Sequence, residues 1–258
     1  MFPYIGITDF KTVDQVRHMI AVFEANRLQS AIKADRKLMV GVMMSYKTLN
    51  HIPSKWAAVW PTSQEIGDIF IDHPLVLNAL HYADFDGQTQ ALHLQTAAFY
   101  GGKHLHAIQL DMIWPDPDMI YEFLQGDPGF GIILQVNALA LEKVGNDPAS
   151  LIRQLRRYKG LVSVVLLDKS MGKGMGMDAE GLLPFARAIA GSDLGFGLAA
   201  AGGLGPDTLH LVEPLLREFP TLSIDAQGKL KPGGDPLQPT DWDLASAYLI
   251  KALAKVRG

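Results

Sequence analysis

Short apolar runs alternate with longer amphipathic segments from one end of the chain to the other. A short apolar run bounded by turn residues predicts a buried strand, an amphipathic segment of helical length predicts a crossover helix, and their strict alternation predicts a parallel sheet. The pattern places strands at 3–8, 37–44, 75–82, 105–111, 131–137, 162–168, 195–201 and 222–226. Helices fill 12–27, 62–72, 88–100, 117–125, 147–159, 179–190, 206–218 and 240–256. Thr12 opens a stripe of Val13, Val16, Met19, Ile20 and Phe23 at helical spacing. Asp147-Pro148 and Gly205-Pro206 put proline near a first helical turn, where its missing N–H costs least. Thr240, ahead of Asp241-Trp242-Asp243, is an N-cap candidate.

Repeated β/α units close naturally into a barrel, so the expected fold is α/β, a single (β/α)8 TIM barrel spanning 1–258 as one domain. A doubly wound open sheet is the alternative, and it usually has fewer strands. A chain of 258 residues with 48% hydrophobic and 19% charged residues can bury a large core. The net charge of −4 offers no basic surplus, so neither nucleic acid nor an anionic membrane is an expected partner. With no cysteine, disulfides, zinc–thiolate sites and a cysteine nucleophile are excluded. The start shows no signal-peptide pattern and no run is long enough to span a bilayer, so a cytoplasmic protein is expected, as monomer or homodimer.

Three glycine-bearing turns follow apolar runs late in the chain. They are Asp168 to Gly176 (with Gly172, Gly174 and Gly176), Gly202-Gly203-Leu204-Gly205, and Gln227-Gly228 after Asp225. Turns of this kind at successive strand ends of a barrel suit an anion, because glycine lets backbone N–H groups approach a phosphate. A phosphate clamp from Gly174, Gly176, Gly202, Gly203, Gln227 and Gly228 is the expectation, with a phosphorylated small molecule as ligand and no cofactor or metal.

Several side chains are candidates for chemistry at the same rim. Asp168 ends an apolar strand and is placed to bind or catalyse, or else to cap the next helix or pair with Lys169. Asp111 and Asp225 end strands four and eight and join Asp168 as an acid/base set; a divalent cation held by them is the less favoured reading. Gln135 and Asn137 share one face of strand five. The irregular stretch 45–61 carries Tyr46, Lys47, His51, Lys55, Trp56 and Trp60, and 229–240 is the other long rim segment. Lys169 is a Schiff-base candidate, although alternation points it outward if Asp168 points in. His18, His81 and His93 lie in or beside apolar segments and are read as packed or solvated; His104 and His106 fall at the start of strand four, away from the catalytic rim.

Taken in order, Tyr4-Ile5-Gly6-Ile7-Thr8, Gln109-Leu110-Asp111, Leu166-Leu167-Asp168, Gly202-Gly203-Leu204-Gly205-Pro206 and Asp225-Ala226-Gln227-Gly228 with Pro232-Gly233 resemble strand-end motifs of the phosphoribosylanthranilate isomerase family over nearly the whole chain. The resemblance implies an isomerase barrel in which the strand-six aspartate, Asp168, is the general acid. It also implies a departure: the family's strand-one cysteine base falls on Ile5, its fourth-strand histidine on Asp111, and its eighth-strand serines on Ala226 and Gln227. A divergent member follows, acting on a phosphorylated sugar or aminosugar by isomerisation with a replacement base from Asp111, Asp225 or Tyr46. A non-catalytic phosphometabolite-binding barrel and a lyase using Lys169 remain open beside it.

Overall fold

The computed structural model describes residues 2–27, 36–168 and 176–256. Its eight parallel strands close into a barrel in chain order. They are β1 (Tyr4–Thr8), β2 (Lys37–Ser45), β3 (Val76–Ala83), β4 (Ala107–Asp111), β5 (Gly131–Asn137), β6 (Val164–Asp168), β7 (Gly197–Ala201) and β8 (Ser223–Ala226). β8 pairs back onto β1 with Ile5 opposite Ile224 and Gly6 opposite Asp225. The (β/α)8 architecture expected from the alternation is the one observed.

The helices in order are α1 (Val13–Arg27), α2 (Tyr46–Leu49), α3 (Ile66–Ile69), α4 (Ala91–Gly101), α5 (Pro117–Leu124), α6 (Ala138–Lys143), α7 (Pro148–Leu155), α8 (Ala179–Ala190), α9 (Glu213–Glu218) and α10 (Trp242–Lys255). Four differ from the sequence expectation, the first being α2, a single turn in the stretch 45–61 expected to be irregular. The segment 62–72 contributes only a 3-10 turn, Ser63–Glu65, and the one-turn α3, launched by a reciprocal Thr62/Glu65 capping box. The segment 206–218 is a 3-10 turn at Leu209–Val212 followed by the short α9, because Pro214 cannot donate within a continuous helix and instead sits in a new first turn. α6 went unpredicted: it starts directly after β5, where the Asn137 side chain accepts from the Ala140 N–H at 3.0 Å. The cap of α10 is Asp241, not Thr240, and its Oδ1 accepts from the N–H groups of Asp243 and Leu244 at 2.9 and 3.1 Å. Asp147 does cap α7, with Pro148 in the first turn.

Strand alternation separates two cores. Ile5, Ile7, Leu38, Val40, Val42, Leu80, Ile108, Leu134, Val165 and Leu167 point outward and pack against the helices. Tyr4, Met39, Leu77, Ala79, Ala107, Ile133, Val164, Leu166 and Ala199 point inward and fill the lower barrel. α1 and α10 lie side by side, next to the seam where β8 meets β1.

The interior changes from apolar to polar toward the C-terminal strand ends, and small residues make that possible. A Cβ on Gly6 would lie 2.5 Å from Asp225 Oδ1 and 2.7 Å from Met39 Cε. Gly6 is therefore the space that lets a carboxylate occupy the barrel axis. Gly6→Ala is expected to cost about 1–3 kcal/mol by overpacking, read as a lower urea midpoint at unchanged slope; an unaltered midpoint would show that Asp225 moves aside without cost.

Candidate active site

The polar strand ends open into a cavity of about 560 Å³ at the C-terminal mouth of the barrel. Enzymes of this architecture keep their sites at that face. Every inward-facing residue just above the apolar layer is polar on β3 to β6, and these residues form a connected belt. Gln109 Nε2 donates to Gln135 Oε1 at 2.8 Å and lies 3.2 Å from His81 Nδ1. Gln135 Nε2 donates to Asp168 Oδ2 at 3.2 Å. One step higher, Asn137 Nδ2 donates to Asp111 Oδ1 at 3.2 Å. His81 Nε2 stands 3.7 Å from Asp111 Oδ2, an ion-pair separation longer than a hydrogen bond. The belt fixes its side chains from below, while Asp111 and Asp168, each partly exposed, present carboxylates to the cavity.

Two buried groups beside the belt titrate abnormally. Burial pushes the Asp225 carboxyl up to about 7, against the pull of the His81 charge, the Thr8 hydroxyl and the Ala226 N–H. The Thr8 hydroxyl lies 3.3 and 3.2 Å from the two Asp225 oxygens. Burial disfavours a charged His81, but Asp111, Asp225 and Asp9 around it outweigh this and hold its pKa above the ordinary value. His81 Nε2 and Gln109 Oε1 are buried without a hydrogen-bond partner among the described residues.

The opposite rim is built from the turns after β7 and β8. Gly202 and Gly203 have φ of 99° and 67°, a left-handed conformation that favours glycine, and the Gly203 carbonyl accepts from the Thr208 hydroxyl at 2.7 Å. Gln227, Gly228, Lys229, Lys231 and Gly234 continue the wall. Gly205 lets the two turns meet, since a Cβ there would lie 2.7 Å from Lys229 Cβ. The third side is aromatic: Trp56 stacks on Trp60 with ring centroids 4.9 Å apart and 4° between planes, and Lys55 Nζ sits 4.9 Å from the Trp56 ring centre.

The structure brings together Asp111, Asp168, Asp225, Gln135, Asn137, Tyr46, Gly202, Gly203, Gln227 and Gly228 around this one cavity. It does not bring Ile5 there. Ile5 is fully buried in the outer core between barrel and helices, because the inward positions of β1 are Tyr4, Gly6 and Thr8. The reading of Ile5 as an emptied base position facing the ligand is thus corrected by strand parity. Gly176 is exposed, with Leu211 Cδ1 2.8 Å from where its Cβ would be, and it does not line the cavity. Gly174, Gly172 and Lys169 lie outside the described residues, and with them the β6 arm of the expected clamp and the Schiff-base candidate. Asp168 is described and reaches the cavity. Among the described residues, no three His, Asp or Glu side chains converge as a metal-binding group.

The sequence reading missed His81, Gln109, Asp9 and Lys231. His81 sits inside an apolar run, yet its alternation with Ala79 and Ala83 on an inward-facing strand was the available signal. His106 is correctly outside the site; its Nδ1 accepts from the Asn78 N–H at 2.9 Å.

No protein-family model matches the chain, and no curated protein is recognisably similar to it. Solved structures do match. One is 3-keto-L-gulonate-6-phosphate decarboxylase from Vibrio cholerae O1 biovar El Tor, with 14% identity and a TM-score of 0.54 over 98% of this chain and 99% of that one. Another is a mandelate racemase/muconate lactonizing enzyme-type protein from Sorangium cellulosum, with 16% identity and a TM-score of 0.48 over 92% of this chain and 55% of that one. At these identities the likeness shows the barrel fold alone. The resemblance to phosphoribosylanthranilate isomerase does not survive: the neighbour at a TM-score of 0.54 is a different barrel, and the Ile5 correspondence falls on the wrong face of β1. The matching motifs were glycine turns and apolar strand ends, which follow from the barrel geometry itself. Among the described residues, no helix is long and apolar enough to cross a membrane.

Proposed function

We propose that this chain is an enzyme that moves a proton on a phosphorylated carbohydrate, with the phosphate against the β7 and β8 turns and Lys229, and the reacting carbon over Asp111 and Asp168. The observation that carries the reading is one cavity with two unlike rims. Positive-φ glycines and lysine occupy one side, and a hydrogen-bonded belt ending in two partly exposed carboxylates occupies the other. A phosphate needs donors and is disfavoured by nearby anions; burial raises the Asp225 carboxyl, beside that rim, to about 7, so it carries less negative charge there than an ordinary carboxylate. Two carboxylates held by amides suit removal and return of a proton, the chemistry of isomerisation or epimerisation beside a carbonyl. The Vibrio cholerae neighbour is named for a phosphorylated sugar acid, which agrees with a phosphosugar ligand here.

Thermal denaturation with pentose and hexose phosphates, their unphosphorylated sugars and inorganic phosphate tests the binding half. A ligand at a hundredfold excess over Kd adds about 2.7 kcal/mol, roughly 5–10 °C for a chain of this size. Phosphorylated sugars are expected to raise the Tm and their parent sugars to leave it unchanged. Equal shifts from both, or none from either, would remove the phosphate from the reading.

A further inference from the structure

Lys231 follows the β8 turn, lines the cavity, and forms an ion pair with Asp9 in which both side chains are only 3% exposed. Its Nζ lies 2.7 Å from Asp9 Oδ2 and donates to the Pro236 carbonyl at 3.0 Å. Taking both ions of such a pair out of water is costly, and well-packed apolar residues often serve stability as well or better.

The backbone adds a second cost. Asp9 has φ of 99°, in the left-handed region, a conformation strained for a non-glycine residue. That kink explains where the side chain goes. Thr8 already points into the barrel at Asp225, so a regular strand would send Asp9 outward. Instead the N–H groups of Asp9 and Phe10 both donate to the Gly41 carbonyl, at 2.9 and 3.1 Å, and the Asp9 side chain is carried to Lys231. Strain and desolvation together hold one ammonium at the cavity wall.

An ammonium has three donor hydrogens. Among the described residues its hydrogen bond goes to the Pro236 carbonyl and Asp9 is an ion-pair contact, so at least one hydrogen is left for an oxygen entering the cavity. We infer that Lys231 is the electrophile of this site, donating to the carbonyl oxygen of a phosphorylated hydroxyaldehyde or hydroxyketone, with Asp9 as its positioning residue. The inference rests on the proton-transfer reading above. Asp111 or Asp168 takes the proton from the carbon beside the carbonyl. The C–H electron pair becomes the C=C bond of an enolate, and the carbonyl π pair moves onto the oxygen that Lys231 holds. Return of the proton to carbon regenerates the carbonyl and the carboxylate. A preorganised donor in a water-poor site is worth most where charge develops. A Schiff-base nucleophile would instead have to be the free amine.

Calorimetric titration with phosphoglycolohydroxamate, a planar enolate-like anion carrying a phosphate, against glycerol 3-phosphate tests this. The wild type is expected to prefer the hydroxamate by about 10²-fold. The double variant Asp9→Asn/Lys231→Met leaves no unpaired buried ion and should lose about tenfold or more of the preference, a ratio that any change in phosphate affinity common to both ligands leaves untouched. Asp9→Asn alone keeps Lys231 but removes its ion-pair partner, and should also lower the preference, which serves if the double variant does not fold. An unchanged preference in a folded variant, or none in the wild type, overturns the role of Lys231 and leaves the phosphate rim standing. Failure of the wild type to bind either ligand overturns the phosphosugar reading and this inference together.

Discussion

Asp168→Asn is expected to lower the exchange of solvent deuterium into a bound sugar phosphate by about 10²–10⁴-fold, and Asp111→Asn to do the same. Both substitutions remove a proton-accepting carboxylate while keeping an oxygen that accepts from the neighbouring amide. Gln135 can still donate to position 168 and Asn137 to position 111, so the belt should stand. The ligand-induced rise in Tm is therefore expected to persist in both variants. Proton NMR in deuterium oxide reads the exchange directly at each carbon-bound position, whatever the eventual product. Wild-type exchange rates in either variant would strip that carboxylate of its role. A loss of binding along with exchange would mean that it holds the ligand and does not move its proton.

Asp225→Asn is expected to make the protein more stable at pH 8 relative to wild type, and to bring no such gain near pH 4. The folded carboxyl titrates at about 7, whereas an unfolded one titrates near 3.9. Between these values the folded state holds a proton that the unfolded state has lost, so stability falls as pH rises through the window. The full difference is on the order of 4 kcal/mol, a large fraction of a typical domain's stability. Asparagine is neutral throughout, fits the same space beside Gly6, and can still accept from Thr8. His81, also raised, acts in the same sense, with its stabilisation present at low pH and lost as pH rises through its folded value. Urea denaturation of both proteins at pH 4.5 and pH 8 provides the comparison. An equal gap at the two pH values would show that Asp225 is charged across the range.

Much of the architecture was legible because it depends on local pattern. β5 was placed without error, and β1 differs by a single residue, since a strand buried on both faces is marked by where its apolar run ends. Helix limits were less legible where caps decide them. Thr240 and Asp241 are both good capping residues, and only the chain path shows that Asp241 turns toward the free N–H groups. The candidate site divides in the same way. Asp111, Asp168, Gln135 and Asn137 were readable as polar residues at the ends of apolar strands on inward-facing parity. For His81 and Gln109 parity could mark the inward face, but their partnership could not be read, because one polar side chain in an apolar run carries no sequence mark for partners on adjacent strands.

The sequence by itself determined the barrel, the face that carries polar strand ends and the two glycine turns that wall the cavity, since these follow from periodicity and from conformations that favour glycine. Tertiary structure decided the rest. It turned Ile5 into the outer core, where parity within β1 outweighs a motif match. It brought Asp9 to Lys231 across the seam between the first strand and the last turn, a pairing of residues far apart in the chain that rests on one left-handed residue. It also set the charge state of Asp225, because a carboxyl's pKa depends on how much water and how many charges surround it, and those surroundings exist only once the barrel has closed.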